Sequence, residues 1–342
     1  MARFRQVQEE LAAKPRHWLV TGAAGFIGSH LVESLLALGQ SVRGVDDFST
    51  GHRENLHDVA RRVGDDAFAR FELLEGDVRE PDVCAKACDG APLVLHQAAL
   101  GSVPRSVADP VTSFTANVTG FANLLEAARA AGCPRFVYAS SSSVYGDHPG
   151  LPKVEAEVGE PLSPYAATKA IDEVWARVYF RSYQMPVVGM RYFNVFGPRQ
   201  DPNGPYAAVI PRWIETVLRG EAPTIYGDGE TSRDFCPVAN VVQANLLAAR
   251  APDEALGQAF NVALGGRTNL AELFLRIRDG LAARGVDCVG MRAVHEDFRA
   301  GDVRHSLADL DAARERLGYA PEVDFAAGVD LTLDWYLERQ DI

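Results

Sequence analysis

The chain has 342 residues, 47% of them hydrophobic, and a formal net charge of −12. That length builds one large α/β unit or two joined lobes without a disulfide or metal staple, and the acidic balance, with no Lys/Arg cluster, argues against nucleic acid as a partner. A charged N-terminus without an apolar core, no run near the ~18 apolar residues of a membrane span, and five scattered cysteines with no Cys-x-x-Cys pair point to a reducing, cytoplasmic setting with no membrane and no metal.

In chain order, residues 4–13 read as a short amphipathic helix. Residues 17–20 form a buried strand and 26–38 a helix. Residues 41–45, 71–75, 93–97 and 135–139 are further strands. Residues 111–131 and 164–183 read as long helices, and 187–192 as another strand. This alternation predicts a Rossmann-type α/β fold, a doubly wound parallel sheet covered on both faces. After Asn194, Pro and Gly become frequent and the alternation lapses. The expected division is a dinucleotide-binding domain over residues 1–193 plus 238–263, and a smaller α/β substrate-binding lobe over 194–237 and 264–342.

The run TGAAGFIG places Gly22, Gly25 and Gly28 between the first strand and the first sheet helix. Glycine there permits a tight turn, close approach of backbone to a pyrophosphate, and close packing of helix on strand. Phe26 and Ile27 open that helix, whose N-terminus offers unpaired N–H groups to phosphate. Asp46 and Asp47 end the second strand about twenty residues on, where a carboxylate accepts from ribose hydroxyls and repels a 2′-phosphate. That favours NAD over NADP, with Arg43 and Arg53 as nearby charges that weaken the preference. Asp77 and Val78 follow the third strand, where a carboxylate can hold the adenine amino group. Gln97, Ala98 and Ala99 follow the fourth, small enough for backbone to approach the cofactor.

The run SPYAATK sets Tyr165 and Lys169 four apart, on one face of a helix. A free phenol titrates near pH ~10 and is a poor base at neutral pH. A neighbouring ammonium, with the positive nicotinamide ring, favours the phenolate. Such a pair can remove a hydroxyl proton as hydride leaves the same carbon. Upstream, ASSSSVYG ends the fifth strand and offers a serine to share the hydrogen bond to the reacting oxygen.

These motifs, with HQAALGSVPRS, LPKVE, RYFNVFGPRQDPNGPYAAVIPRW, GDGETSRDF and RAGDVRHS, resemble the extended short-chain dehydrogenase/reductase family. The resemblance runs along nearly the whole chain. It is strongest toward the UDP-N-acetylglucosamine 4-epimerases of bacterial surface-polysaccharide synthesis. It implies Ser141, Tyr165 and Lys169 as catalytic residues, with Asn117 and Tyr192 added to the NAD site. It implies a sugar pocket of Ser102, Val103, Ser142 and Ser143. Asn194, Arg233 and Arg299 would hold the diphosphate, Ala208, Val209 and Tyr226 the uridine, with Asp302 in the same substrate set. Ser306 matches the gate of the sugar pocket, where branches restricted to glucose and galactose carry a bulky tyrosine. Gly101 stands where several members carry a substrate-contacting lysine. A homodimer built on helices 111–131 and 164–183 is also implied.

The implied reaction is reversible C4 epimerisation of UDP-N-acetylglucosamine and UDP-N-acetylgalactosamine. The 4-hydroxyl gives its proton to Tyr165 and C4 gives hydride to NAD. The resulting 4-keto sugar turns over while its UDP stays anchored, and hydride returns from bound NADH to the other face. Epimerases of UDP-glucose or UDP-glucuronate, and a decarboxylase, share the fold. A 4,6-dehydratase places acids right after the catalytic serine, where this chain has Ser142 and Ser143. Non-catalytic regulatory members lack the Tyr/Lys pair.

Overall fold

The computed structural model describes residues 2–203, 207–298 and 304–339. It opens with α1 (Ala2–Ala13), β1 (His17–Thr21), α2 (Phe26–Ala37), β2 (Ser41–Asp46), α3 (Arg53–Val63), α4 (Asp65–Phe68), β3 (Phe71–Glu75), α5 (Pro81–Ala87) and β4 (Leu93–His96). Next come α6 (Val103–Ala108), α7 (Pro110–Phe114), a π turn (Thr115–Thr119), α8 (Gly120–Ala131), β5 (Phe136–Ser141), a 3-10 turn (Ser142–Tyr145), α9 (Pro164–Tyr183) and β6 (Val187–Tyr192). Then follow β7 (Val195–Phe196), α10 (Val209–Leu218), β8 (Thr224–Tyr226), β9 (Ser232–Arg233), β10 (Cys236–Pro237), α11 (Val238–Ala249) and β11 (Gln258–Val262). The chain closes with β12 (Thr268–Asn269), α12 (Leu270–Ala282), β13 (Val294–Glu296), α13 (Asp311–Leu317) and α14 (Phe325–Glu338).

Seven strands form one parallel sheet in the order β11-β6-β5-β4-β1-β2-β3. Strand order reverses between β1 and β4, so the crevice beyond their carboxyl ends is the natural ligand site. Every residue of β4 and β6 is buried, as a sheet covered on both faces requires. The two faces carry separate cores. Trp18 and Val20 of β1 point into one and Leu19 into the other. A third core, around Trp213, Phe274 and Leu333, joins α10, α12 and α14.

The expected helix over 111–131 is three pieces, with the π turn at Thr115–Thr119 between α7 and α8. β-branched Val111, Thr112, Thr115, Val118 and Thr119 crowd a regular helix, and the inserted turn aims Asn117 at its partners. Helix α9 matches its expected bounds because its ends are marked locally. The Ser163 side chain accepts from the Ala166 N–H, Pro164 sits in the first turn, and Gln184 closes it in the left-handed conformation.

A buried ion pair locks α9 to the sheet. Arg191 of β6 donates to both oxygens of Glu173, at 2.9 and 2.8 Å, and Ser140 donates to the same carboxylate at 2.6 Å. Glu173→Gln should lower unfolding free energy by about 3–5 kcal/mol, because it strands a buried guanidinium. Urea denaturation measures this; a change below about 1 kcal/mol would reject the assignment.

Candidate active site

A cavity of about 410 Å³ opens at the strand reversal. Twelve residues expected at the cofactor line it: Gly22, Gly25, Phe26, Ile27, Gly28, Asp46, Asp47, Asp77, Val78, Gln97, Ala98 and Ala99. Two glycines of the loop, Gly22 and Gly28, are packed so tightly that neither position admits a side chain. A Cβ on Gly22, whose φ is +66°, would lie 2.9 Å from the Ala98 nitrogen, and one on Gly28 would lie 1.9 Å from the Gly22 carbonyl oxygen. Helix α2 has no side-chain cap and no acid in its first turn, so its leading N–H groups face the cavity free for phosphate. By contrast, α9, α12 and α14 are capped by their own Ser163, Asn269 and Asp324.

Asp46 is buried and accepts from the Ala24 N–H at 2.8 Å and the Phe48 N–H at 2.9 Å. Burial pushes its carboxyl above the usual range, and these backbone donors pull it back. Asp47 accepts from the Ser49 N–H and hydroxyl at 3.0 and 2.7 Å. Asp77 is held low by Arg79, which donates to it through Nε at 2.7 Å. The two arginines that could have favoured NADP are engaged elsewhere. Arg43 pairs with Glu72 at 3.0 Å, and Arg53 pairs with Glu75 at 2.5 Å while lying 4.0 Å over the Phe48 ring. The buried Asp46 carboxylate at the end of β2, the open N–H groups of α2 and, among the described residues, no free guanidinium on the wall fit NAD.

Asn117 and Tyr192 do not line this cavity; each supports a residue that does. The Asn117 amide donates to the Leu100 carbonyl at 3.2 Å and to Thr168 Oγ1 at 3.1 Å, and accepts from the Leu100 N–H at 2.7 Å. The Tyr192 hydroxyl donates to Gln97 Oε1 at 3.0 Å and accepts from Asn245 Nδ2 at 2.8 Å. Arg79, Ser49, Thr50 and Gly51 also line the cavity, although no motif marks them. The packing of Gly51 against the Asp46 carboxylate is its only structural signature.

The Tyr/Lys pair sits at the start of α9. The Tyr165 N–H donates to Ser106 Oγ at 3.0 Å, which fixes the helix entry against α6. Among the described residues the Tyr165 hydroxyl takes no hydrogen bond, leaving it for a ligand. Lys169 is 2% exposed and donates to the Ala139 carbonyl at 3.1 Å and to Asp172 Oδ2 at 3.2 Å. His96 donates to or accepts from Thr21 Oγ1 at 2.7 Å; burial and the Lys169 charge push it down to about 3, so it stays neutral at working pH.

Ser141 caps the 3-10 turn, accepting from the Ser143 N–H at 3.1 Å, so Ser141, Ser142 and Ser143 follow β5 on one tight bend. Ser102 begins α6 with φ +94° and accepts from the Arg105 N–H at 3.4 Å, and Val103 beside it is exposed. Asn194, with φ +33°, donates to the Asp234 carbonyl at 3.3 Å. Ala208 and Val209 start α10, and Tyr226 ends β8. Arg233 lies on β9, and the Ser306 N–H donates to the Ser232 carbonyl at 3.1 Å, which sets those two positions side by side. Buried Asp234 organises this corner by accepting from the N–H groups of Leu264, Gly265 and Ala308 at 2.9, 3.0 and 3.2 Å. None of these residues lines the 410 Å³ cavity. Arg299 and Asp302 lie outside the described residues.

The fold and the cavity define a dinucleotide-binding α/β protein of the extended short-chain dehydrogenase/reductase type. Residues 18–263 match the model of the NAD dependent epimerase/dehydratase family. The chain is 40% identical over 323 residues to a UDP-glucose 4-epimerase of Mycolicibacterium smegmatis, covering 94% of this chain and 98% of that one. It superposes with a TM-score of 0.87 and 37% identity on a UDP-N-acetylglucosamine 4-epimerase from Methanobrevibacter ruminantium in complex with UDP-N-acetylmuramic acid, covering 95% and 99% of the two chains. A UDP-glucose 4-epimerase of Thermus thermophilus in complex with NAD gives 0.80 at 35% identity, covering 94% and 99%. The chain belongs to the NAD dependent epimerase/dehydratase family, and NAD is its cofactor.

Proposed function

We propose that this protein interconverts UDP-N-acetylglucosamine and UDP-N-acetylgalactosamine at C4. Its relatives make it an NAD-dependent UDP-sugar 4-epimerase. The choice of N-acetylated sugar rests on Ser306. That small residue stands at the gate position implied by the resemblance, next to Arg233 and with room for a 2-acetamido group. Gly101 agrees, since it stands where several family members carry a substrate-contacting lysine.

In this reading Tyr165 takes the 4-hydroxyl proton, and Lys169 holds positive charge beneath it. Ser141 donates to the reacting oxygen. NAD, held by the glycine loop and Asp46, would supply reversible hydride transfer at C4. Arg233 and Arg299 clamp the diphosphate by charge-assisted forks, so the anchor holds while the keto sugar turns. The smaller lobe, residues 194–237 and 264–342, carries that anchor, and the first lobe carries the chemistry.

A homodimer belongs to the same proposal. Val111 and Phe114 of α7, and Val174, Trp175 and Val178 of α9, are exposed apolar residues on the two helices expected to meet a second copy. Sedimentation at working concentration should give twice the chain mass.

An NMR product assay across UDP-glucose, UDP-N-acetylglucosamine and their uronic acids tests the sugar. The N-acetylated pair should turn over with the highest kcat/KM. Ser306→Tyr should cut turnover of UDP-N-acetylglucosamine by about 10–200-fold more than that of UDP-glucose, the range for added bulk in a pocket. Equal losses on both sugars would end the gate argument. A UDP-glucose preference, favoured by the Mycolicibacterium smegmatis relative, would appear as the reverse ranking.

A further inference from the structure

We infer that Asp172 is a positioning residue for the reaction: it anchors the Lys169 ammonium and its negative charge tempers the field that Lys169 exerts on Tyr165. This inference rests on the reading of Tyr165 as the acid/base.

Three observations carry it. Lys169 and Asp172 form an ion pair at 3.2 Å, with side chains 3% and 0% exposed. An ammonium has three donors; here one is spent on Asp172 and one on the Ala139 carbonyl. That leaves a single N–H for the tyrosine or the cofactor and fixes its direction. The other oxygen, Asp172 Oδ1, is buried with no hydrogen-bond partner among the described residues. A carboxylate kept in so poor a site for hydrogen bonding is there for its charge, not for a hydrogen-bond network.

The helix supplies the geometry. Tyr165, Lys169 and Asp172 follow at spacings of four and three, so they share one face, with Asp172 a turn beyond the lysine. Lys169 therefore acts on the phenol at shorter range than Asp172 does, and the carboxylate only subtracts from its effect. Burial pushes the Asp172 carboxyl up to about 7, against the pull of Lys169, so its charge changes within the working range. The other ionisable groups facing this point are accounted for. Glu173 on α9 is neutralised by Arg191 of β6. His96 of β4 is neutral, and the Tyr138 phenol of β5 is pushed well above its ordinary range by burial, with Arg177 a minor influence on it.

The test is the pH titration of the Tyr165 phenolate by ultraviolet difference absorbance in the NAD-loaded protein, with Tyr165→Phe as blank. Asp172→Asn keeps the side-chain shape and removes the charge. The phenolate signal and the acid limb of kcat should both move to lower pH by about one unit, a tenfold gain in phenolate fraction. Asp172→Gln, uncharged but still offering an amide oxygen to the ammonium, should move them the same way and serves if the asparagine variant misfolds. An unmoved or upward-moved titration in a folded, NAD-retaining variant overturns the role of Asp172. Full turnover by Tyr165→Phe would instead remove the acid/base reading, and this role with it.

Discussion

Tyr165→Phe is expected to lower kcat by about 10²–10⁴-fold, the range for a positioned general acid/base, while NAD stays bound. The separation of the two effects follows from the geometry. Among the described residues the hydroxyl takes no hydrogen bond, so removing it strands no described partner. The ring is half-buried at the first turn of α9, whose position depends on the backbone contact to Ser106 and on the Ser163 cap, both of which phenylalanine preserves. Thermal stability should therefore change little. Steady-state assay of the variant, with its NAD released by denaturation and quantified, measures both sides. Turnover near the wild-type rate would mean that another group moves the proton.

Gly28→Ala is expected to lose NAD and to destabilise the fold. The added Cβ would lie 1.9 Å from the Gly22 carbonyl oxygen and 2.7 Å from its carbon, and 3.1 Å from the Ala23 Cα. All three are backbone atoms of the phosphate loop, so no side chain can swing aside. The loop must move off α2, and its own bonds resist. The Gly22 and Ala23 N–H groups both donate to the Val45 carbonyl, and the Gly25 N–H donates to Gly22. Overpacking ordinarily costs about 1–3 kcal/mol; a backbone clash this close should reach or exceed the top of that range. Gly25→Ala makes a graded control, since its Cβ would stop 3.1 Å from the same oxygen. Urea unfolding and NAD content of the purified variants read both effects. Wild-type NAD content in Gly28→Ala would refute the close packing of α2 on the loop.

Both outcomes concern residues that local pattern alone marks. TGAAGFIG and the Tyr165/Lys169 spacing are legible because their chemistry is written in neighbours along the chain: a turn, a helix start, one helix face. The same holds for β3, α9 and β6, whose bounds match expectation because each is a short strand followed by a turn or helix start, or a helix with its own cap and stop. The helix over 111–131 was less legible. Its break serves Asn117, whose partners Leu100 and Thr168 lie 17 and 51 residues away. The two-residue ribbon that places Arg233, β9 against β12, is too short to show any periodicity.

What the sequence by itself determined is the doubly wound sheet, the glycine loop at the start of α2 and the placing of Tyr165 and Lys169 on one helix face, because each depends on periodicities and spacings within a few turns of chain. Tertiary structure alone decided what surrounds them. It paired Arg43 with Glu72 and Arg53 with Glu75, set Asn117 and Tyr192 behind the cavity wall, and closed Asp172 onto Lys169 in a buried pair. Charge and hydrogen-bond energies depend on distance and on exclusion of water, and neither quantity exists until distant segments are packed together.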